Sequence, residues 1–517
     1  MVSSIGLSFH TNSTDATILF MLTVSRPVAG VLLTLLEQSG DARMALSTRL
    51  YRAIRSAILD GTLPSGERLP STRALAADLA LSRSTAETAY AQLEEEGYLV
   101  RQTGNGSFVR KGAAPETDGH PLSPSSATGL QAVSLASLSR RGQQIALMGG
   151  CIDAREIRAF SAGMPALDSF PAAVWQRLLS RHARHEPLAW MGYGDQQGLP
   201  LLREAIAQYL CLSRGVDCDA DQVIVLTSSQ QALTLVAMMM LDEGDAVWME
   251  DPGYRGAQTA FSGAGATLVP VPVDADGMVI DQALSMNAQA RLAYVTPSHQ
   301  YPLGATLSLS RRLQLIEWAC RDNGWIVEDD YDSEFHYDSR PVAAIHGLDR
   351  QQRVLYIGTF SKVLFPGARI AYLVVPKPMV NAFVMARSQV DGHTSPLMQA
   401  VLADFMREGH FMAHVRRMRE LYRARRDIFM EELQRHAENR LLPQASQGGL
   451  QTSCLLADQR LSDKRLAGIA ADAGIDLPLL SRLYRGTDQR HGFVMGFSAL
   501  APGDIRHGMT QLSRILA

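Results

Sequence analysis

The chain has 517 residues, 46% hydrophobic, 20% charged and 7% aromatic, with 49 Lys+Arg against 52 Asp+Glu for a formal net charge of −3. These values exclude a largely disordered, collagenous or coiled-coil chain, and the length predicts two or more domains, each able to bury its own core. The charge balance carries no basic excess that would announce a nucleic-acid partner, so its plainest reading is a soluble cytoplasmic enzyme.

Residues 1–40 read as a poorly specified leader, in which Met21 is a second candidate start. The apolar stretch from Thr17 to Leu36 is interrupted by Arg26 and Pro27 and lacks a basic n-region, so neither a membrane span nor a signal peptide is predicted. Five cysteines (Cys151, Cys211, Cys218, Cys320 and Cys454) are odd in number, widely spaced and without a Cys-x-x-Cys pair. They predict reduced thiols and no metal site.

Residues 41–112 show dense helical spacing. The first helix places Leu46, Leu50, Ile54 and Ile58 on one face and stops at Gly61. The second follows Pro70, with Ser71 as N-cap and Arg73 in its first turn. The third is capped by Ser82 or Ser84 and turns Ala86, Tyr90 and Leu93 inward before Gly97. Ala80-Leu81-Ser82 is a short turn, giving a helix-turn-helix, and Thr103-Gly104-Asn105-Gly106 joins two strands into a hairpin wing.

A third helix with a polar, basic start suits the major groove, where Arg83 meets base edges or phosphate. Ser82, Ser84, Thr85 and the free N–H groups of the helix start favour phosphate oxygens. The same helices also suit a protein-interaction module whose arginines form a solvated face. Locally this region holds ten Lys+Arg against eight Asp+Glu, leaving 39 against 44 elsewhere, so the near-neutral total averages a basic head with an acidic body. The strings GTLPSGERLPSTRALA, LSRSTAETAYAQLEEEGYL and GNGSFV resemble the winged-helix head of the GntR family. That resemblance implies operator DNA contacted through Ser71, Arg73, Ser82, Arg83, Ser84, Thr85, Gly104 and Gly106.

Residues 113–136 are rich in Pro, Ser, Gly and Ala and read as a flexible linker. From 137 to 517, apolar runs (QVIVL, AVWME, ATLVPV, ARLAYV, GWIVED, RVLYIG, ARIAYLVV) alternate with helices, which predicts an α/β domain with a mostly parallel sheet. Its large subdomain is expected over about 165–390. HFMAHVRRMRELYRARRDIFMEEL carries six arginines, yet its apolar positions keep helical spacing and predict an amphipathic helix of the small subdomain.

Three strand ends carry polar side chains: Asp329 and Asp330 after GWIVE, Thr359, Ser361 and Lys362 after RVLYIG, and the serines before QQALTL. Ligands gather at such ends in open α/β sheets. A lysine, an aspartate and a helix start together suggest pyridoxal 5′-phosphate (PLP): an amine to condense with the aldehyde, a carboxylate for the pyridine nitrogen and donors for the phosphate. Each signal alone also suits a solvated surface residue or an N-cap.

In order, these motifs resemble the fold-type I, aspartate aminotransferase-like PLP proteins. The resemblance implies Lys362 as the Schiff-base lysine and catalytic residue, Asp329 at the pyridine nitrogen, Tyr331 at the ring O3′ and Tyr254 stacked on the ring. It implies phosphate contacts from Ser229, Gln230, Thr359, Ser361 and Arg369, with Tyr193 reaching the phosphate of the neighbouring subunit. Two departures matter. Tyr301-Pro302-Leu303-Gly304 stands where the family has Asn-Pro-Thr-Gly, and Val494-Met495-Gly496-Phe497-Ser498 lacks the arginine that grips a substrate carboxylate, leaving Arg255, Arg482 or Arg485 as substitutes.

A GntR-type head linked to such a body resembles the MocR/GabR-type transcription regulators. This implies a cytoplasmic, head-to-tail homodimer on operator DNA that senses an amine or amino acid effector, or PLP itself, through aldimine chemistry at Lys362. The alternative is an active class I/II aminotransferase with an accessory DNA-binding domain.

Overall fold

The computed structural model describes residues 27–38, 44–112, 137–148, 156–185, 188, 190–337, 343–444 and 447–516. The expected linker lies outside the described residues, as do Cys151 and residues 1–26 of the expected leader. The chain divides into two compact units, Met1–Ala132 and Val133–Ala517, each described by itself.

The first unit holds helices α1 (Pro27–Gln38), α2 (Leu46–Leu59), α3 (Thr72–Asp78) and α4 (Arg83–Glu95) and strands β1 (Arg68–Leu69), β2 (Leu99–Gln102) and β3 (Gly106–Val109). Leu50, Ile54, Ile58, Leu75, Ala86, Tyr90 and Leu93 close one apolar core. Tyr90 is buried because its hydroxyl has a partner, donating to Pro70 O at 2.9 Å. Leu46, expected on the inner face of α2, is 48% exposed at the helix's first residue. Ala80 turns the chain between α3 and α4 at φ +51°, and α4 follows with Ser82 as its cap. The antiparallel sheet runs β1-β3-β2, so the wing hairpin gains a two-residue third strand that sequence patterning misses. Residues 1–40 are expected to stand outside the head, but α1 buries Leu32 and Leu36 in its core, and the Arg49 guanidinium donates to Leu36 O at 2.6 Å.

The second unit is built on a large sheet. Its strands are β4 (Val223–Leu226), β5 (Ala246–Asp251), β6 (Thr267–Asp274), β7 (Gly277–Met278), β8 (Leu292–Val295), β9 (Trp325–Asp330), β10 (Val354–Thr359) and β11 (Ala371–Val374). The order is β4-β11-β10-β9-β8-β5-β6-β7. Strands β6, β5, β8, β9 and β10 pair in parallel, while β11 runs antiparallel to both its neighbours. Helices cover both faces, which is why β4, β8, β10 and β11 are buried along their whole length. The reversed strand has a consequence for function: Ala371 pairs with Thr359, so the entrance to β11 lies beside the exit of β10. Residues just before β11 therefore share an edge with residues just after β9 and β10.

A smaller antiparallel sheet of β12 (Leu441–Pro443), β13 (Gln451–Leu456) and β14 (Gly492–Gly496) completes the unit. The arginine-rich segment forms the helix His410–Ala437, with Phe411, Val415, Met418 and Tyr422 buried and Arg416, Arg417 and Arg423 exposed. Leu421 and Ile428 are half-buried at its margins. Among the described residues, no helix is long and apolar enough to cross a membrane.

Candidate functional site

In the head, Ser71 caps α3 by accepting from Ala74 N at 3.2 Å, and Ser82 caps α4 by accepting from Thr85 N at 3.1 Å. The Ser82 hydroxyl also lies 2.9 Å from Ser84 Oγ and 2.7 Å from Thr85 Oγ1, so three hydroxyls cluster at the helix start. Ser71, Arg73, Ser82, Arg83 and Ser84 are exposed, and Thr85 is half-buried. Arg83 donates to Glu87 at 2.8 Å across one helical turn. Gly104 and Gly106 hold φ of +79° and +111° at the wing tip, a left-handed conformation that glycine adopts without steric cost. The α4 start offers N–H groups, hydroxyls and a guanidinium together on the solvent side, the donor set that phosphate oxygens and base edges accept.

In the body, the pleat of β9 sorts its three acids. Glu328 accepts from Ile345 N and His346 N, both at 2.9 Å. Asp330 Oδ2 accepts from Arg214 Nε at 2.7 Å and Tyr356 OH at 2.5 Å. Asp329 points the other way, into a cavity of about 330 Å³. There its Oδ2 accepts from Tyr294 OH at 2.8 Å, while Oδ1 is buried with no partner among the described residues. Burial, above all, raises the Asp329 carboxyl to about 7.

Lys362 enters the same cavity from the turn after β10. Its half-buried amine donates to Gly163 O at 2.8 Å. Burial lowers the amine's pKa, and the negative charges of Asp332 and then Asp329 oppose that fall. Arg369, in the left-handed conformation at φ +52°, reaches the cavity from the entrance to β11. Thr359 and Ser361 line it too, with Ser361 N donating to Thr359 Oγ1 at 3.2 Å. From β4, Ser228 caps the helix Ser229–Met240 by accepting from Gln231 N at 3.1 Å, which presents Ser229 and Gln230 to the cavity. Tyr254, Tyr301 and Tyr331 meet edge to face, Tyr301 lying 5.6 Å from Tyr254 and 6.1 Å from Tyr331 between ring centroids.

Nine of the ten cofactor-site residues read from sequence thus line one cavity. Tyr193 does not: it is fully exposed, edge-on to His393 at 6.1 Å. Sequence reading missed Gly163, Ser228, Tyr294, Thr296, Asp332 and Gln451, which line the same cavity. Of these, Ser228 stands beside Ser229, Asp332 beside Tyr331, and Thr296 at the start of the TPSHQYPLG stretch that holds Tyr301, whereas the others lie outside the motifs that carry the site.

The residues fit PLP. A buried carboxylate oxygen without a partner stands ready for a protonated ring nitrogen. A primary amine faces the same space, and a capped helix start with an arginine lining the same cavity suits a phosphate. Gly256 keeps the cradle open, since a Cβ there would lie 2.4 Å from the Tyr254 ring and 2.5 Å from Gln230 Oε1.

A second cavity, of about 520 Å³, is lined by Arg255, Arg482, Arg485, Gln258 and Tyr484 among others. The Arg255 guanidinium donates to Met148 O, and Arg485 Nε donates to Gln258 Oε1 at 3.4 Å. The adjacent residues Tyr254 and Arg255 thus face two different cavities.

A winged helix on the same chain as a class I/II aminotransferase fold defines a DNA-binding transcription regulator with an aminotransferase-like domain. Residues 46–109 match the model described as bacterial regulatory proteins, gntR family, and residues 159–470 match aminotransferase class I and II. The chain is 40% identical over 475 residues to the probable rhizopine catabolism regulatory protein MocR of Rhizobium meliloti, covering 91% of this chain and 94% of that one. It is 30% identical to the pyridoxine biosynthesis transcriptional regulator PdxR of Corynebacterium glutamicum, covering 91% and 95%. The body resembles the α-aminoadipate aminotransferase LysN of Thermus thermophilus, solved with N-(5′-phosphopyridoxyl)-L-leucine. That likeness has a TM-score of 0.68 at 26% identity and covers 74% of this chain and 98% of that one. The chain belongs to the MocR family of transcription regulators.

Proposed function

We propose that residues 41–112 read operator DNA, 113–136 tether them, and 137–517 hold PLP and sense a small effector that carries an amine. The observation that carries this reading is the pairing, in one cavity, of the Lys362 amine with an Asp329 oxygen that has no partner. When bound, PLP supplies an aldehyde that condenses reversibly with primary amines.

The chain's own residues then divide the work. Lys362 would supply the amine that holds the cofactor's aldehyde at rest, and an effector's primary amine would compete with it for that aldehyde. Asp329 would accept a hydrogen bond from the ring nitrogen and keep it protonated, while Tyr294 keeps the other carboxylate oxygen occupied. Ser229, Gln230, Thr359, Ser361 and Arg369 would hold the phosphate, with Tyr254 against the ring and Tyr331 toward the ring hydroxyl. The arginines of the second cavity, Arg255, Arg482 and Arg485, favour an effector that also bears an acidic group, because no carboxylate pairs with their guanidinium groups among the described residues. Tyr193, exposed in the single chain, suits a role in the partner's site of a head-to-tail homodimer acting in the cytoplasm.

Regulation requires that the effector bind two states of the body with different affinity, since equal affinity shifts nothing. The test is a screen of amines and amino acids against the PLP-loaded chain. Visible absorbance reports on the cofactor, and operator affinity is measured in the same samples. A compound that moves both supports the sensor, whereas sustained keto-acid production with no change in operator affinity supports a working aminotransferase.

A further inference from the structure

Two buried carboxylates face the Lys362 amine, and the proposed function uses only one. The other, Asp332, is 2% exposed and lines the same cavity. It is held by His299, whose Nδ1 lies 3.0 Å from Oδ2 and 3.2 Å from Oδ1. That same nitrogen lies 3.0 Å from the Tyr331 hydroxyl. One ring nitrogen therefore meets a carboxylate and a phenol at once, and its protonation decides where each hydrogen points.

The alternatives differ in cost. A bare Nδ1 would accept from Tyr331 but set its lone pair against an ionised carboxylate, which only accepts. Inside the protein that repulsion is poorly screened. A protonated Nδ1 donates to Asp332, and the Tyr331 oxygen, with no acceptor at that nitrogen, directs its hydrogen elsewhere. The pair is packed in place: Gly449, at φ +86°, lies so close that a Cβ would fall 2.1 Å from His299 Cε1 and 2.9 Å from Asp332 Oδ2.

We infer that His299 and Asp332 form a positioning pair: Asp332 fixes His299 in the Nδ1–H form, which turns the Tyr331 hydroxyl hydrogen into the Lys362 cavity, and the Asp332 charge supports the protonated lysine before PLP binds. The inference rests on reading this cavity as the cofactor site for its purpose, but the geometry of the pair needs no cofactor. The titratable groups that line the cavity with Lys362 are Asp329, Tyr331 and Asp332 from the end of β9, Tyr294 from β8, Tyr301 from the loop after it, Tyr254 from the turn after β5 and Arg369 from the entrance to β11. Of these, Asp329 and Arg369 are the charged groups that remain when Asp332 alone is changed.

The test uses the cofactor-free, full-length chain. Labelling of Lys362 by an amine-acylating reagent is followed against pH by peptide mass spectrometry, and the histidine tautomers are read by 15N NMR, with His299→Asn assigning the signal. Asp332→Asn is expected to lower the labelling midpoint of Lys362 by about one pH unit, because it removes the stronger of the two negative charges that favour the protonated amine. The wild-type His299 signal is expected to be that of an Nδ1–H ring. An unmoved midpoint, or a His299 protonated at Nε2 alone, would overturn the inference. The tautomer measurement needs no variant at Asp332 and stands if that variant does not fold. Cofactor binding is scored separately by visible absorbance, so a chain that binds no PLP sinks the proposed function and leaves both readouts of the pair intact.

Discussion

Tyr294 donates its hydroxyl to Asp329 Oδ2 at 2.8 Å, engaging one oxygen of the carboxylate and leaving Oδ1 buried and without a partner among the described residues. A buried acceptor left open in this way is costly until a donor fills it, and a hydrogen bond to a charged group contributes about 1.5–3 kcal/mol. Asp329→Asn is therefore expected to weaken PLP binding by about ten- to a hundredfold. Tyr294→Phe, which leaves Oδ1 untouched, should have a smaller effect. Equilibrium titration followed by visible absorbance measures both.

The buried acids make the cofactor-free body sensitive to pH. Burial raises Glu250 to about 8 and Asp329, Glu328 and Glu334 to about 7, all above their ordinary values. Between the ordinary and the raised pKa the folded chain holds more protons than the unfolded one, so stability falls as pH rises through that window. Lys362 and the histidines His336, His346 and His414, all lowered by burial, contribute in the opposite sense above their own folded pKa values. Together with Asp251, also raised by burial, the acids outnumber them, so the melting temperature of the cofactor-free chain is expected to be lower at about pH 8 than at about pH 5.5. Glu250→Gln should reduce that difference, as calorimetry at the two pH values will check.

Arg83 is held by Glu87 at 2.8 Å in the free head, an exposed pair worth about 0.3–0.5 kcal/mol. Releasing it to DNA therefore costs little. Arg83→Ala is expected to lower operator affinity by about 1–3 kcal/mol if it reads a base, or to reduce the salt dependence by about one counterion if it contacts phosphate. Glu87→Ala should leave affinity unchanged or slightly higher. Binding isotherms at several salt concentrations separate these outcomes.

The arginine cavity gives a specificity prediction. Arg482→Ala and Arg255→Ala are expected to weaken the operator response to an acidic effector at least tenfold, while the resting cofactor spectrum stays as in the wild type. Loss of the spectrum itself would place these arginines in cofactor binding instead.

Much of this was legible in sequence where the chemistry is local. The strands β4, β8, β10 and β11 are continuous apolar runs because helices cover both sheet faces, and such runs stand out without an alignment. Lys362, Asp329, Ser229 and Gln230 sit at strand ends or a helix start, which a pattern can mark. What stayed hidden depends on remote partners. Gly163 meets Lys362 across 199 positions, and Tyr294 lies in a strand whose only apparent business is the core. Strand β1 has two residues, too few for any period to register. Helix α1 falls within the stretch read as leader, whose apolar run Arg26 and Pro27 interrupt, yet a proline at the first position of a helix leaves the following turns intact. Tyr193 is marked by its motif alone, and it does not line the cavity among the described residues of the single chain.

The most direct measurement compares operator affinity, with and without an amine effector, for wild type and Lys362→Ala, both scanned for visible cofactor absorbance. The account predicts that the wild type shows the absorbance and changes its affinity on adding effector. Lys362→Ala is expected to lose both while still binding the operator through its intact head. A variant that keeps an effector-dependent change in operator affinity would contradict the claim that Lys362 is where the signal is received.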